Sequence, residues 1–106
     1  MIFCYTEPSG PPLNLRAEPS RDSAILRWDP PAEKDQNGEI TEYLIKYQLS
    51  IDPSSQMNKT VGVETELLLD NLMTGETYNF TVAAINSNGT GPDATIMFTT
   101  IPDSKI

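Results

Sequence analysis

The sequence contains no histidine. Histidine is the usual general base, the commonest metal ligand and the partner of most serine and cysteine nucleophiles, so its absence excludes all of these arrangements. An enzyme would have to work with carboxylates alone, and Gly89 and Gly91 open no helix that could cradle a phosphate. We therefore expect a protein that is not an enzyme, with no catalytic residue and no cofactor.

Basic residues and long apolar runs are also scarce. Seven Lys and Arg stand against 15 Asp and Glu, which gives a net charge of −8. Nucleic acids and anionic membranes attract cationic surfaces, so we expect no nucleic-acid partner and no direct membrane contact. No apolar run approaches the roughly 18 to 20 residues of a membrane span, and the first ten residues lack the features of a signal peptide. The chain alone thus suggests a cytosolic protein or a piece of a larger one.

Cysteine occurs once, at Cys4, so the chain cannot form an internal disulfide. Cys4 precedes the first predicted strand, in what we interpret as a tail. An incidental residue is the simpler reading, and a reactive thiol is the alternative. One free thiol does not fix the redox compartment of the protein.

An acidic loop follows the second predicted strand, and its acidic residues are Glu33, Asp35, Glu39 and Glu42. The run 35–39 has a faint similarity to a calcium-binding loop, but it lacks the 12-residue spacing of ligands that such a loop needs. We interpret it as a solvated loop in which Asn37 and Gly38 make a turn, and we predict no metal site.

The pattern that is present is that of β-strands, most clearly in residues 72–92. These residues hold a turn, a strand of strict alternation and a glycine-rich turn. One face of the strand carries Tyr78, Phe80, Val82 and Ala84, and the other carries Asn79, Thr81 and Ala83. This is the period of a half-buried strand, and we expect it to be central, with neighbours on both sides.

Turn signals recur about every 8 to 12 residues along the chain, and no long stretch has a helical period. We expect one all-β sandwich domain without helices, with strands at 13–18, 23–28, 41–49, 59–63, 66–70, 77–86 and 94–100. Trp28 should be the largest core residue, packed with Leu26, Ile45, Tyr78 and Val82. The predicted structural core comprises Trp28, Tyr43, Tyr47, Leu72, Tyr78 and Val82.

Four segments together resemble a fibronectin type III domain: PPLNLRA (11–17), WDPP (28–31), NGEITEYLIKY (37–47) and TYNFTVAAINSNGTGP (77–92). The resemblance implies a seven-stranded, immunoglobulin-like β-sandwich of two antiparallel sheets over residues 11–101, between tails at 1–10 and 102–106. A true immunoglobulin domain fits less well, because Phe80 stands where its second disulfide cysteine would be. The family's tyrosine corner maps onto Leu72 and Tyr78, whose hydroxyl should bond to upstream backbone. The corner departs from the usual pattern, with Thr74 in place of a common proline and Glu76 in place of a common threonine.

The resemblance further implies a non-catalytic spacer and protein-recognition module. The sequence is similar to the tandem repeats in the ectodomains of receptor-type tyrosine phosphatases and netrin receptors. This similarity implies the extracellular part of a single-pass membrane protein, or a secreted protein. The alternative is a cytoplasmic scaffold repeat of the muscle type. Three Asn-x-Thr sequons favour the extracellular interpretation, and we predict glycosylation at Asn58, Asn79 and Asn88.

Recognition in this family often uses the loops after the second and sixth strands. Plain turn formation is the simpler interpretation of these loops, and partner contact is the alternative. The candidate partner-contact residues are Glu33, Asp35, Asn37, Asn86, Ser87, Asn88 and Thr90. Their acidity favours a basic protein partner, besides the neighbouring domains of the same chain. A glycan on Asn88 would shield these loops, and the domain would then act mainly as a spacer. We expect the isolated domain to be a monomer.

Overall fold

The computed structural model describes residues 6–102, which form a sandwich of two antiparallel sheets. Seven strands lie within these residues: β1 Leu13–Pro19, β2 Ala24–Asp29, β3 Glu42–Leu49, β4 Asp52–Val61, β5 Glu66–Leu69, β6 Thr77–Asn86 and β7 Gly89–Thr99. The predicted fold class is confirmed. Cys4 and most of the predicted C-terminal tail lie outside the described residues.

The strand order is β1-β2-β5 in one sheet and β4-β3-β6-β7 in the other. Strand β6 pairs with β3 from Tyr78 to Ile85 and with β7 on its other side, so its predicted central position is confirmed. Its alternating side chains are buried towards the first sheet at Tyr78, Phe80, Val82 and Ala84. Ala83 is also buried although it belongs to the opposite phase, because its small side chain is shielded by neighbouring strands.

The core is built around Trp28, of which only 1% is exposed. It belongs to one cluster with Leu26, Ile45, Tyr78 and Val82, as predicted. Its ring neighbours, however, are Tyr43, edge-on at 5.5 Å between centroids, and Phe80 at 6.2 Å. Five of the six predicted core residues are buried, namely Trp28, Tyr43, Leu72, Tyr78 and Val82, and Tyr47 is half-buried.

The expectation that helices are absent is wrong in the acidic loop, where α1 spans Glu33–Gln36. Pro30 and Pro31 end the preceding strand, and the following residues include no β-branched side chain that would oppose a helical turn. The Gln36 amide donates to the Pro31 carbonyl at 2.9 Å. Asn37 ends the turn with a φ of 53°, a left-handed conformation that asparagine tolerates.

Two strands begin earlier than predicted. Strand β4 starts at Asp52, because a tight hairpin pairs Leu49 with Asp52 and leaves Pro53 on the unpaired edge, where it needs no hydrogen-bond donor. Strand β7 starts at Gly89, because Asn86 pairs directly with Gly89 across a two-residue turn.

Three of the four outer strands, β1, β4 and β5, carry features that oppose further pairing. β1 follows Pro11 and Pro12, and β5 has only four residues. Lys59 of β4 lies opposite the buried Ile45, so it occupies the phase that faces the other sheet. An inward-phase lysine on an edge strand disfavours the docking of another strand.

The tyrosine corner forms as predicted, and an additional residue completes it. The Met73 backbone N–H donates to the Tyr78 hydroxyl at 2.8 Å. Thr100, fully buried, donates its hydroxyl to the Met73 carbonyl at 2.6 Å and accepts from the Glu76 N–H at 3.0 Å. The Thr100 bonds fix a turn that lacks the usual proline.

Candidate functional site

The residues predicted to contact a partner do meet at one end of the sandwich. Asp35 lies on α1, Asn37 follows it, and Asn86 ends β6 close to both. The residues of this group differ in accessibility. Glu33, Ser87, Asn88 and Thr90 are exposed, Asp35 and Asn37 are half-buried, and only 3% of Asn86 is exposed.

Asn86 joins three segments of the chain through its side-chain amide. Its Nδ2 donates to the carbonyls of Thr6 at 2.9 Å, Gln36 at 3.0 Å and Asn37 at 3.3 Å. Its Oδ1 accepts from the Asn88 backbone N–H at 2.8 Å. A buried amide with all these partners is structural, since its polar atoms are already satisfied. Asn86 is therefore not available to a partner in this conformation.

Residues 6–10, which we call the N-terminal strap, pack against the same end. The Ser9 N–H donates to the Asp35 carbonyl at 2.8 Å, and the Asn37 Nδ2 donates to the Glu7 carbonyl at 3.0 Å. Pro8 is fully buried. The predicted tail at 1–10 is thus, over its described part, a component of the domain.

Gly91 explains how the strap comes so close to β7. A Cβ atom added at Gly91 would lie 2.6 Å from the Pro8 carbonyl oxygen, which is closer than any real side chain is found. The strap therefore lies over a backbone that has no side chain at this point. The sequence pattern gave no indication that Thr6, Glu7, Pro8 and Gly91 contribute to this end of the domain. The only local signal was the glycine at position 91, near the start of β7.

The acidic residues at this end do not converge. Among residues 6–102 no group of three or more Asp, Glu, Cys or His side chains could hold a metal ion. Lys34 lies 3.9 Å from Asp35 at the surface, a distance at which an exposed pair contributes little stability. The chemistry that remains at this end is that of a hydrogen-bonding, negatively charged surface.

A second concave surface lies between the open edges of the two sheets. This groove of about 380 Å³ is lined by Tyr47, Gln48, Leu49, Ser55, Met57, Asp70, Asn71, Leu72 and Tyr78. Burial raises the pKa of Tyr47, and the nearby charge of Asp70 adds to the effect. The groove holds one carboxylate and no nucleophile with a base, so it offers no catalytic arrangement. The sequence pattern had marked its tyrosines and Leu72 only as core.

The three sequons all lie on the four-stranded sheet or its last turn. Asn58 is exposed on β4, Asn79 is half-buried on β6, and Asn88 is exposed in the turn between β6 and β7. The outer face of the three-stranded sheet carries none. It presents Arg27, which bonds to Glu18 and, at 2.9 Å, to Glu66.

The part of the chain from 6 to 102 includes no helix of the length and apolarity required to cross a membrane.

Comparison with known proteins gives consistent matches. A family model described as fibronectin type III domain matches residues 10–100. Neogenin of Rattus norvegicus is 42% identical over 88 residues, 80% of this chain and 6% of that protein. The cell adhesion molecule Dscam1 of Drosophila melanogaster is 36% identical over 99 residues, 87% of this chain and 5% of that protein. Receptor-type tyrosine-protein phosphatase F of Bos taurus is 37% identical over 102 residues, 93% of this chain and 5% of that protein.

Solved structures agree on the fold. The chicken CNTN1 FN1-FN3 domains superpose with a TM-score of 0.76 at 26% identity, covering 89% of this chain and 33% of that one. Domains A168-A170 of titin superpose with a TM-score of 0.74 at 26% identity, covering 88% of this chain and 32% of that one. The chain therefore spans a small part of each of these relatives.

Proposed function

Because the chain belongs to the fibronectin type III family, a family of non-catalytic modules, we propose that it is an extracellular repeat of a larger cell-surface receptor or adhesion protein. The observation that carries this proposal is the set of relatives, whose names include a cell adhesion molecule and a receptor-type phosphatase. The phosphatase activity of the latter belongs to a separate domain, since the present chain matches only 5% of that protein.

The geometry favours a spacer over a binder that uses flexible loops. Asp35, Asn37 and Asn86 are engaged in holding the N-terminal strap, so the loops at this end are fixed by the chain itself. A strap bound in this way fixes the place at which the chain enters the domain, at Thr6. In a tandem array, a fixed entry point shortens the free linker between consecutive repeats.

Recognition at this end is left to Glu33, Ser87, Asn88 and Thr90, whose side chains are exposed. Glu33 is the one charged side chain among them, and its carboxylate favours a basic protein partner with salt-sensitive association. A glycan on Asn88 would cover this group, in which case the domain acts as a spacer alone.

The test is made on the full-length protein in its own cells. A membrane-impermeant amine reagent should label the domain on intact cells, and peptides containing Asn58, Asn79 or Asn88 should carry N-glycans that peptide N-glycosidase F releases. Labelling only after the cells are opened, together with three unmodified sequons, would refute the extracellular proposal.

That negative result would instead favour an intracellular scaffold repeat. The specific observation behind this second candidate is the superposition on titin domains A168-A170.

A further inference from the structure

The outer face of the four-stranded sheet contains a polar cleft of about 140 Å³. Asn79 lies at its centre, on β6, directly opposite Gln48 of β3 and Met97 of β7. The residues that line the cleft are Lys46, Tyr47, Gln48, Gln56, Asn79, Thr81 and Thr95. They offer amide, hydroxyl and ammonium groups but no carboxylate.

The Asn79 carboxamide leaves one polar atom unsatisfied at this position. Its Oδ1 is shielded from solvent and has no hydrogen-bond partner among the described residues. Buried polar atoms of native proteins nearly always have a partner, so the carboxamide of Asn79 is incompletely satisfied in the unmodified chain. Asn79 also begins the sequon Asn79-Phe80-Thr81, so the unsatisfied amide is one that can be modified.

We propose that the first N-acetylglucosamine of an N-glycan on Asn79 binds in this cleft, where the sequon asparagine stands among the polar lining residues. The inference rests on the proposed extracellular function. In the modification, a bond forms between Nδ2 and C1 of the sugar as the C1–O bond to a lipid pyrophosphate donor breaks. One amide proton leaves with the pyrophosphate. The transfer acts on the nascent, extended chain, so the half-buried position of Asn79 in the folded strand does not prevent it.

The chemistry of the cleft suits one sugar ring. The N-acetyl and hydroxyl groups of the sugar both donate and accept hydrogen bonds, and so do the side-chain amides of Gln48 and Gln56. Thr81 and Thr95 lie side by side across the strands, with hydroxyl oxygens 3.3 Å apart. Their methyl groups complete a mixed surface against which a ring can pack.

Asn58 provides a contrast on the same sheet. It pairs with Lys46 on the edge strand β4, is exposed, and does not line the cleft. Strand geometry separates its Cα from that of Asn79 by roughly 12 Å, which is two strand spacings and two residues along the strands. A single N-acetylglucosamine on Asn58 would therefore lie beside Lys46 at the rim of the cleft, away from Asn79.

The test uses the domain secreted from cells that add high-mannose glycans. In one protein, Asn58→Gln and Asn88→Gln leave Asn79 as the sole sequon, and in the matched control Asn79→Gln and Asn88→Gln leave Asn58. Endoglycosidase H trims each glycan to a single N-acetylglucosamine. The bacterial protein with the same substitutions supplies the unmodified reference.

For the Asn79 protein we expect the trimmed form to melt as high as the full glycoform and several degrees above the unmodified form. In NMR spectra the N-acetyl methyl protons should show NOEs to the methyl groups of Thr81 and Thr95. Gln56→Ala should reduce the stabilisation by the sugar. For the Asn58 protein, trimmed and unmodified forms should melt together.

Several results would overturn the inference: an Asn79 sequon that stays unmodified in the secreted protein, equal melting of trimmed and unmodified forms, or a missing NOE. These outcomes concern only the cleft. Glycosylation of Asn58 and Asn88 on the full-length protein in its own cells would still support the extracellular function.

Discussion

Replacing Asn86 by alanine tests most directly whether this side chain holds the N-terminal strap against the domain. The substitution removes four hydrogen bonds, three to the carbonyls of Thr6, Gln36 and Asn37 and one from the Asn88 N–H. At about 1 kcal/mol net for each bond, the upper value is about 4 kcal/mol. The bond to Asn37 is long, and water can rehydrate some freed groups near the surface. We therefore expect Asn86→Ala to lower the free energy of unfolding by about 2 to 4 kcal/mol.

Urea denaturation measures this loss, and hydrogen exchange locates it. The Ser9 amide, which donates to Asp35, should lose protection in the variant because the strap is released. The Met73 amide, bonded to Tyr78 at the opposite end, should keep protection relative to global unfolding. Asn88→Ala is the matched control, since only the backbone of Asn88 takes part in the network, and it should change stability by no more than about 0.5 kcal/mol.

Asn86→Asp adds a pH dependence with a definite sign. The introduced carboxylate can still accept from the Asn88 N–H but faces three carbonyl oxygens, so burial and repulsion should raise its pKa in the folded state. The folded protein then binds more protons than the unfolded one, and stability should rise as the pH falls towards the carboxyl range. If Asn86→Ala unfolds within about 0.5 kcal/mol of wild type, or if Ser9 stays protected, the strap is not held by Asn86.

Three further predictions concern the core, the strap contact and a titrating side chain. Trp28→Ala should lower the free energy of unfolding in urea by about 3 to 5 kcal/mol. Leu68→Ala should lower it little, because Leu68 is 56% exposed, and equal losses would show that the core is not built around Trp28. Gly91→Ala should cost about 1 to 3 kcal/mol because the strap must move, while Gly62→Ala, whose added Cβ meets only a flexible carboxylate, should be near neutral. Burial and a nearby carboxylate raise the pKa of Tyr47 above 10.0. The unfolded chain then loses this proton at a lower pH than the folded protein, so stability should fall as the pH rises past 10.0. Absorbance titration of the wild type against Tyr47→Phe measures the pKa, and ionisation of Tyr47 at or below pH 10.0 would contradict the prediction.

The features that the sequence predicted well are those that depend on local alternation. The inward phase of β6 follows from the spacing of Tyr78, Phe80 and Val82. The tyrosine corner was expected from the family resemblance, and the inward ring of Tyr78 agrees with it. The same phase extends to Asn86, so its burial was available from the pattern. The polar character of Asn86 and the turn after it led instead to the interpretation of a contact residue.

The strap could not be predicted in this way, because its partners are distant in the sequence. The bond from Asn86 to Thr6 joins residues 80 positions apart, and Pro8, Ser9 and Gly10 have the composition of an ordinary linker. Similarly, the single turn of α1 is set by the ends of its neighbouring strands and is too short to show a period. Tertiary contacts determine such segments, and periodicity does not report them.

The protected edges of the two sheets bear on how such a domain behaves when many copies share one chain. Neighbouring repeats on a flexible connection meet at millimolar effective concentration, far above that of free proteins in most compartments. An open strand at that concentration would invite pairing between adjacent repeats during synthesis or after mechanical unfolding. The prolines before β1, the shortness of β5 and the lysine of β4 opposite Ile45 remove that opportunity at the edges that carry them. At these three edges of the domain, strand exchange with a neighbouring repeat is disfavoured, which favours refolding within one repeat.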